Sequence, residues 1–249
     1  MKRFEGKVAL VTGAAAGIGR ATALRLGSEG ARVYAVDVDL EGLDETVSLV
    51  EKEGAEVVAA RCDVSDEASV RENVAACVSH FDRLDTLCNV AGILLLEHFQ
   101  EIPVEKFRRV LEVNLVGPFM LTQAALPHLI ESRGSIVNVS STSALAGMPY
   151  GAAYGTSKGG VSAFTRTIAV EFGKHGVRCN AVNPGSILTS MMGPDVVPQG
   201  ADMQLVMRAE PLDKARPPEV VAAVIAMLAS EDGAHINGEE IRVDGGTLA

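Results

Sequence analysis

Tyr154 and Lys158, four residues apart in the stretch "YGTSK", are the first pair whose types and spacing could do chemistry. On a helix, positions i and i+4 share one face, so an ammonium would lie beside a phenol. A free tyrosine has a pKa of about 10, and proton exchange near neutral pH requires lowering it by roughly 3, or about 4 kcal/mol. One cation about 4 Å away contributes roughly that much at an effective dielectric near 20. From this spacing alone, a surface pair lying flat on a helix is the alternative.

A glycine-rich turn, "TGAAAGIG" at residues 12–19, follows a strand-like segment and opens a helical one. Gly13 permits a tight turn, while Gly17 and Gly19 let the backbone approach a pyrophosphate and the helix pack on the strand. The free N–H groups and the dipole at a helix start favour a phosphate. The spacing G-x-x-x-G-x-G therefore predicts nucleotide binding, with a plain tight turn as the alternative.

Asp37 ends the second strand-like segment, where a doubly wound sheet would place the ribose of an adenosine. Its carboxylate would accept hydrogen bonds from the 2′ and 3′ hydroxyls and would repel a 2′-phosphate. No arginine or lysine lies at residues 14–16 or directly after Asp37, and Arg20 lies past the turn. NAD is therefore predicted over NADP. The alternative is that Asp37 caps the next helix, a task that Asp39 could also perform.

Short apolar runs alternate with longer helical patterns along the whole chain. Buried apolar strands are typical of a parallel sheet covered by helices, and strict alternation is typical of a doubly wound fold. We predict an α/β fold: one Rossmann-like domain spanning residues 1–249 with a doubly wound seven-stranded parallel sheet. The predicted strands are 7–12, 32–37, 56–62, 84–89, 135–140, 178–183 and 239–243, and the predicted helices are 17–29, 40–53, 66–80, 103–131, 153–174 and 217–229.

Residues 186–216 break this alternation. The segment contains four methionines and is too long for an ordinary connection, and such loops are often functional. Its Met and Val content indicates that it covers something apolar, so we predict a lid over the substrate.

Composition narrows the function classes. The 249 residues carry a formal net charge of −10 with no basic run, which disfavours nucleic acid and anionic membranes as partners. No apolar run approaches the length needed to span a bilayer, and the first residues are expected to lead directly into a strand rather than a signal peptide. The cysteines lack C-x-x-C spacing and the histidines are dispersed, so no metal site is predicted. These features predict a soluble cytoplasmic protein.

The glycine turn and "YGTSK" together resemble the short-chain dehydrogenase/reductase family, and the resemblance covers essentially all of the chain. The family's N-N-A-G motif is matched by "NVAG" at residues 89–92, with Val90 as a small departure. Its catalytic asparagine matches Asn114 in "EVNLVG", and its catalytic serine, by distance from the tyrosine, selects Ser141 over Ser140.

The resemblance implies a role for each matched residue. The catalytic set would be Asn114, Ser141, Tyr154 and Lys158, with Ser141 bonding the substrate oxygen and Asn114 holding a water that links Lys158 to solvent. Taken alone, Asn114 could be a helix amide bonding a neighbouring strand, and Ser141 a strand-end hydroxyl capping a turn. The cofactor-binding set would be Gly13, Gly17, Ile18, Gly19, Asp37, Asp63, Val64, Asn89, Ala91, Gly92, Tyr154, Lys158, Pro184, Gly185, Ile187 and Thr189.

The expected function is NAD(H)-dependent interconversion of a secondary alcohol and a ketone by hydride transfer, with Tyr154 as the general acid/base. The expected substrate is an uncharged or weakly polar alcohol or ketone of mainly apolar character, because the candidate pocket walls contain Leu94, Leu95, Leu96, Leu145, Met148, Met191 and Met192. Two alternatives remain: an NADPH-dependent 3-ketoacyl (acyl-carrier) reductase, and a non-catalytic NAD-binding regulator. The resemblance also implies a homotetramer built partly through helices 103–131 and 153–174.

Overall fold

A single parallel sheet forms the centre of the molecule. The computed structural model describes residues 2–193, 196–209, 211–212 and 214–249. Within those ranges seven strands pair in the order β3-β2-β1-β4-β5-β6-β7, every pair parallel. This confirms the predicted Rossmann-like α/β fold. The strands are β1 Val8–Thr12, β2 Arg32–Asp37, β3 Val57–Arg61, β4 Thr86–Asn89, β5 Ser135–Val139, β6 Arg178–Pro184 and β7 Glu240–Val243.

Helices cover both faces of the sheet. Along β1, Ala9 and Val11 face a core shared with α1, α2 and α8, whereas Val8 and Leu10 face a core shared with α3, α5 and α6. Strands buried on both faces read as continuous apolar runs, which is why the sequence revealed them. The helices are α1 Gly17–Ser28, α2 Leu40–Lys52, α3 Glu67–Phe81, α4 Val104–Leu111, α5 Gly117–Ser132, α6 Ala152–Phe172, α7 Met203–Val206 and α8 Glu219–Ala229.

The predicted helix 103–131 is three segments rather than one. A π-helical turn, Glu112–Val116, lies between α4 and α5. Pro118 has no N–H to donate to the carbonyl four residues earlier, so the regular hydrogen-bond ladder is interrupted there. Such turns are frequent at functional sites, and this one carries Asn114.

The continuous helical run Val104–Ser132 is long and apolar enough to cross a bilayer by length and composition alone. The sequence-based statement that no segment reaches that length is therefore wrong by this criterion. In the fold, however, α5 packs against α3 and the sheet, and its inward residues Leu121, Ala125 and Leu129 are buried in the core. A core helix passes the same test, so the criterion by itself identifies no membrane segment.

The order in which the chain adds strands to the sheet reverses between β1 and β4. The chain moves from β1 to β2 and β3 on one side, and from β4 to β5, β6 and β7 on the other, so the loops after β1 and β4 diverge. In doubly wound folds ligands bind in the crevice opened at this point. Thr12 fixes its base, because its hydroxyl oxygen accepts the N–H groups of Val90 and Ala91, each at 3.0 Å.

The two ends of the predicted lid are joined to each other. Leu188 N–H donates to the Arg216 carbonyl at 2.8 Å, and Arg216 N–H donates to the Ser186 carbonyl at 3.2 Å. Between them lie α7 and a 3-10 turn, Met207–Ala209. Pro194, Asp195, Glu210 and Asp213, which the predicted lid includes, lie outside the described residues.

Candidate active site

A cleft of about 570 Å³ opens at the carboxyl ends of the strands. It brings together residues that the sequence placed far apart, from the first glycine turn to the segment after β6. The predicted site residues that line it are Gly13, Gly17, Ile18, Gly19, Asp37, Asp63, Val64, Ala91, Gly92, Ser141, Tyr154, Lys158, Pro184, Gly185, Ile187 and Thr189.

Three glycines in the turn after β1 and the first residues of α1 have little or no room for a side chain. Gly13 has φ +67°, and a Cβ there would lie 2.9 Å from the backbone of Ala91. Gly17 has φ +51°, and a Cβ there would lie 3.1 Å from the Thr189 methyl group. A Cβ on Gly19 would lie 2.0 Å from the Gly13 carbonyl oxygen. This close-fitting cradle at the start of α1 suits the pyrophosphate of a dinucleotide.

Asp37 is fixed by backbone donors from two loops. Its Oδ1 accepts the N–H groups of Val38 at 2.7 Å and Asp39 at 3.1 Å, and its Oδ2 accepts the N–H of Ala15 at 3.1 Å. The carboxylate is therefore held at the edge of the cleft, beside the phosphate turn. The helix cap is Asp39, whose carboxylate accepts the Gly42 N–H, so the capping alternative for Asp37 does not apply.

Arg20, the cation that directly follows the glycine turn in sequence, does not line the cleft. Its Nη1 pairs with Glu45 at 2.8 Å, its Nε donates to Thr46 at 3.0 Å, and its Nη2 donates to the Ala15 and Gly42 carbonyls. These partners lie on α2 and the turn before α1. The guanidinium is thus occupied in joining α1 to α2.

Ser141, Tyr154 and Lys158 line one part of the cleft wall together, with a hydrogen bond between Ser141 and Tyr154. Ser141 follows β5 and begins a 3-10 turn, where its Oγ accepts the Ser143 N–H at 3.1 Å. Tyr154 and Lys158 lie one turn apart on α6, with Lys158 Nζ 5.6 Å from the centre of the phenol ring. Lys158 is almost fully buried, and its Nζ donates to the Val139 carbonyl at 2.8 Å. The pair is not a surface pair.

The neighbouring serine, Ser140, has a different task. Its hydroxyl donates to the Lys158 carbonyl at 2.9 Å and lies 3.1 Å from Ser162 Oγ, which donates to Glu240 at 2.6 Å. This buried chain joins the end of β5, helix α6 and strand β7. It sets the position of α6, and therefore of Tyr154 and Lys158, relative to Ser141.

Burial governs the proton affinities of the two groups on α6. It lowers the pKa of Lys158 to about 8. It raises the pKa of Tyr154, and the hydrogen bond with Ser141 acts in the opposite direction. The sequence predicted that Lys158 lowers the phenol pKa, whereas burial leaves the pKa of Tyr154 above its usual value. A positive charge beside the phenol would act against the effect of burial, because it favours the phenolate.

Asn114 holds the loop after β4 from behind the cleft. Its Oδ1 accepts the Ile93 N–H at 2.8 Å, while its Nδ2 donates to the Ile93 carbonyl at 2.9 Å and to Ser157 Oγ at 3.1 Å. A Cβ on Gly92 would lie 3.2 Å from Asn114 Oδ1 and 3.4 Å from Lys158 Nζ. The carboxamide and the ammonium therefore flank the same glycine, and Asn114 keeps one lone pair on Oδ1 for a further donor.

Asn89 lies outside the cleft. Its side chain is buried between strands, where Nδ2 donates to Asn138 Oδ1 at 2.8 Å, and Asn138 in turn donates to Thr165 on α6 at 2.9 Å. Of the predicted pocket walls, Leu95 and Leu145 do not line the cleft, whereas Leu94, Leu96, Met148, Met191 and Met192 do.

Sequence reasoning missed several lining residues. Arg109 of α4 lies beside Asp63, with Nη2 3.9 Å from its carboxylate, and the Ser65 hydroxyl and N–H lower the pKa of Asp63. Thr247 and Leu248 reach the cleft from the C-terminal segment after β7. No motif in the sequence marks Arg109, Thr247 or Leu248 as a lining residue.

Comparison with known proteins agrees with this arrangement. A family model described as enoyl-(acyl carrier protein) reductase matches residues 13–247. The 3-oxoacyl-(acyl-carrier-protein) reductase of Thermotoga maritima is 40% identical over 247 residues, covering 99% of each chain. The chain belongs to the short-chain dehydrogenase/reductase family. The L-rhamnose 1-dehydrogenase (NAD(P)(+)) of a Sphingomonas strain is 38% identical over 249 residues, covering 99% of this chain and 98% of that one.

The solved structures place the fold in the same family. A short-chain dehydrogenase from Mycobacterium paratuberculosis bound to NAD superposes with a TM-score of 0.93 at 34% identity, covering 98% of both chains. The protein is thus a short-chain oxidoreductase acting on substrates of the alcohol and ketone type.

Proposed function

We propose that the protein interconverts a secondary alcohol and a ketone with NAD(H), using Tyr154 as the general acid/base. The observation that carries the proposal is that Ser141, Tyr154 and Lys158 line the same cleft as the glycine turn and Asp37. When bound, a nicotinamide supplies the hydride acceptor or donor.

Tyr154 exchanges the hydroxyl proton of the substrate at its phenol oxygen. Ser141 donates a hydrogen bond to the same substrate oxygen and stabilises the charge that develops there. Lys158, held by the Val139 carbonyl, places an ammonium behind the phenol. Asn114 offers the free lone pair of Oδ1 to a water that returns protons from Lys158 to solvent.

The preference for NAD over NADP is proposed from Asp37. Three backbone N–H groups fix its carboxylate, so it cannot turn away without leaving those donors unpaired. A 2′-phosphate would meet this negative charge, while Arg20, the cation that follows the glycine turn, is bonded to Glu45 and Thr46. Ribose hydroxyls are the better partners for the carboxylate.

The substrate is proposed to be uncharged and apolar. The part of the cleft under the lid is lined mainly by aliphatic and thioether side chains: Ile93, Leu94, Leu96, Met148, Met191, Met192, Val196, Val197 and Val206. Among the described residues of that part no side chain carries a charge. A substrate carboxylate would lose its hydration there without gaining a cation.

The experiment is a kinetic comparison of matched pairs. Neutral secondary alcohols, such as 2-octanol, are assayed with NAD and with NADP beside analogues that carry a terminal carboxylate. We expect turnover with NAD and a preference for the neutral member of each pair. A preference for carboxylated substrates contradicts the apolar proposal, and a preference for NADP contradicts the role given to Asp37.

A second candidate is an NADPH-dependent 3-ketoacyl (acyl-carrier) reductase, since the Thermotoga relative carries that name. Arg109, which lines the cleft beside Asp63, is the cation that would favour it. Reduction of an acetoacetyl thioester with NADPH faster than with NADH would select this candidate.

We also propose a homotetramer that uses α4, α5 and α6. The rings of Phe119 on α5 and Phe164 on α6 pack edge to face with their centres 6.3 Å apart. Val170 on α6 is 86% exposed in the single chain. These apolar groups lie on the two helical regions that the family resemblance implicates. Light scattering on the purified protein gives the mass, and a monomer at micromolar concentration would contradict the proposal.

A further inference from the structure

Tyr150 has an unusual backbone conformation. Its φ is +63°, in the left-handed region that residues other than glycine rarely adopt. It lies two residues before α6 and four before Tyr154. Bulky residues persist in this region only where the surrounding structure holds them, and such positions cluster at functional sites.

The surroundings of Tyr150 tie two segments of the chain to the loop before α6. Its phenol oxygen accepts the N–H of Asp202, at 2.7 Å, and Asp202 caps α7 by accepting the Gln204 N–H at 2.9 Å. Its carbonyl accepts the Glu97 N–H at 2.9 Å. Its ring packs edge-on against His98, with ring centres 5.2 Å apart.

His98 makes a second contact with the same segment. Its Nε2 lies 3.0 Å from the Gln199 carbonyl oxygen, and since a carbonyl only accepts, Nε2 carries the hydrogen. The backbone of Gln199 is therefore bonded to the His98 ring, and the backbone of Asp202 is bonded to the Tyr150 hydroxyl. Val197 and Val206, which flank the two contacts, both line the substrate part of the cleft.

We propose that Tyr150 and His98 form a clasp that holds residues 196–206 over the substrate, so that Tyr150 is a positioning residue for substrate binding. The ends of the 186–216 segment are already fixed by the Leu188–Arg216 and Arg216–Ser186 bonds. The clasp fixes the middle of that segment, at Gln199 and Asp202. It acts through the lid and does not touch the proton-transfer groups, so it governs substrate affinity and leaves the chemical step unchanged.

The proposal holds for any substrate or cofactor of the cleft, and its deciding readout requires no turnover. Tyr150→Phe deletes one oxygen while retaining the ring packed on His98. Amide hydrogen exchange of residues 196–206 should then quicken about 5-fold or more, as expected when one hydrogen bond is lost. His98→Ala should do the same, while His98→Gln, which keeps an N–H donor, should restore part of the protection.

The control is Tyr34→Phe, which removes the same atom from a buried ring on β2. With 2-octanol as the probe, Tyr150→Phe should raise KM about 5-fold, with kcat and the KM for NAD within 2-fold of the parent. If 2-octanol is not turned over, the exchange data alone decide. The clasp proposal would be overturned if the amides of residues 196–206 exchanged at the same rate in Tyr150→Phe as in Tyr34→Phe. A Tyr150→Phe variant that lost kcat at unchanged KM would also overturn it.

Discussion

The carboxamide of Asn114 pairs with both backbone polar groups of Ile93, accepting its N–H at 2.8 Å and donating to its carbonyl at 2.9 Å. Ile93 follows Gly92, which the carboxamide and Lys158 Nζ approach together. One side chain on the π-helical turn thus sets the shape of the loop after β4 beside the ammonium.

Replacing Asn114 by Ala should destabilise the fold and slow the reaction. It leaves the N–H and carbonyl of Ile93 unpaired, so the free energy of unfolding should fall by about 2–4 kcal/mol in urea titration. Asn73→Ala is the matched control: it also removes two amide bonds, to Arg61 and Ser69 carbonyls, away from the cleft. A kcat as high for Asn114→Ala as for Asn73→Ala would contradict a catalytic contribution.

Tyr154→Phe should abolish turnover while leaving NADH binding largely intact. The phenol oxygen is the proposed proton donor and acceptor, and such groups contribute roughly 10²- to 10⁴-fold to rate. Steady-state kinetics and NADH fluorescence titration measure the two effects. Tyr34→Phe, a buried tyrosine remote from the cleft, is the control. Near-full activity of the Tyr154 variant would mean that another group transfers the proton.

Lys158 should give the protein a characteristic dependence of stability on pH. Burial lowers its pKa from 10.5 to about 8, so between these values the unfolded chain binds more protons than the folded one. Stability due to this residue therefore rises with pH across that window, by up to about 3 kcal/mol, and is lowest below pH 8.

Comparison with Lys158→Met isolates this contribution, because other titrating groups cancel between the two proteins. Denaturant titrations from pH 7 to 11 should show the parent gaining stability relative to the variant as the pH rises. Lys52→Met, which removes an exposed ammonium at the end of α2, is the control. A parent-minus-Lys158→Met difference that stays flat across the window would show that the Lys158 pKa is not lowered.

Asp37→Ser should shift cofactor preference toward NADPH by about 10-fold or more, because it removes the charge that opposes a 2′-phosphate. The ratio of kcat/KM for NADPH to that for NADH measures the shift. Asp39→Ala is the control, since it removes a carboxylate two residues away that caps α2. It should cost about 1 kcal/mol of stability without changing the ratio. An equal shift in both variants would assign the effect to net charge.

The sequence by itself determined the architecture and most of the cleft. The strands buried on both faces could only be apolar runs. Gly13 and Gly19 could only be glycines, since a Cβ at either position meets backbone. The Tyr154–Lys158 pair followed from helical periodicity, which is a local property. Asp37 could be located because its place depends only on where β2 ends.

The tertiary structure alone decided what depends on contacts between distant segments. The Asn89 side chain bonds Asn138 instead of facing the cleft. Ser140 belongs to the series of hydrogen bonds that ends on Glu240. Leu248 and Arg109, which are distant in sequence, both line the cleft. The tertiary structure also decided the proton affinities of Tyr154 and Lys158, because desolvation is set by the atoms packed around a group and not by its neighbours in sequence.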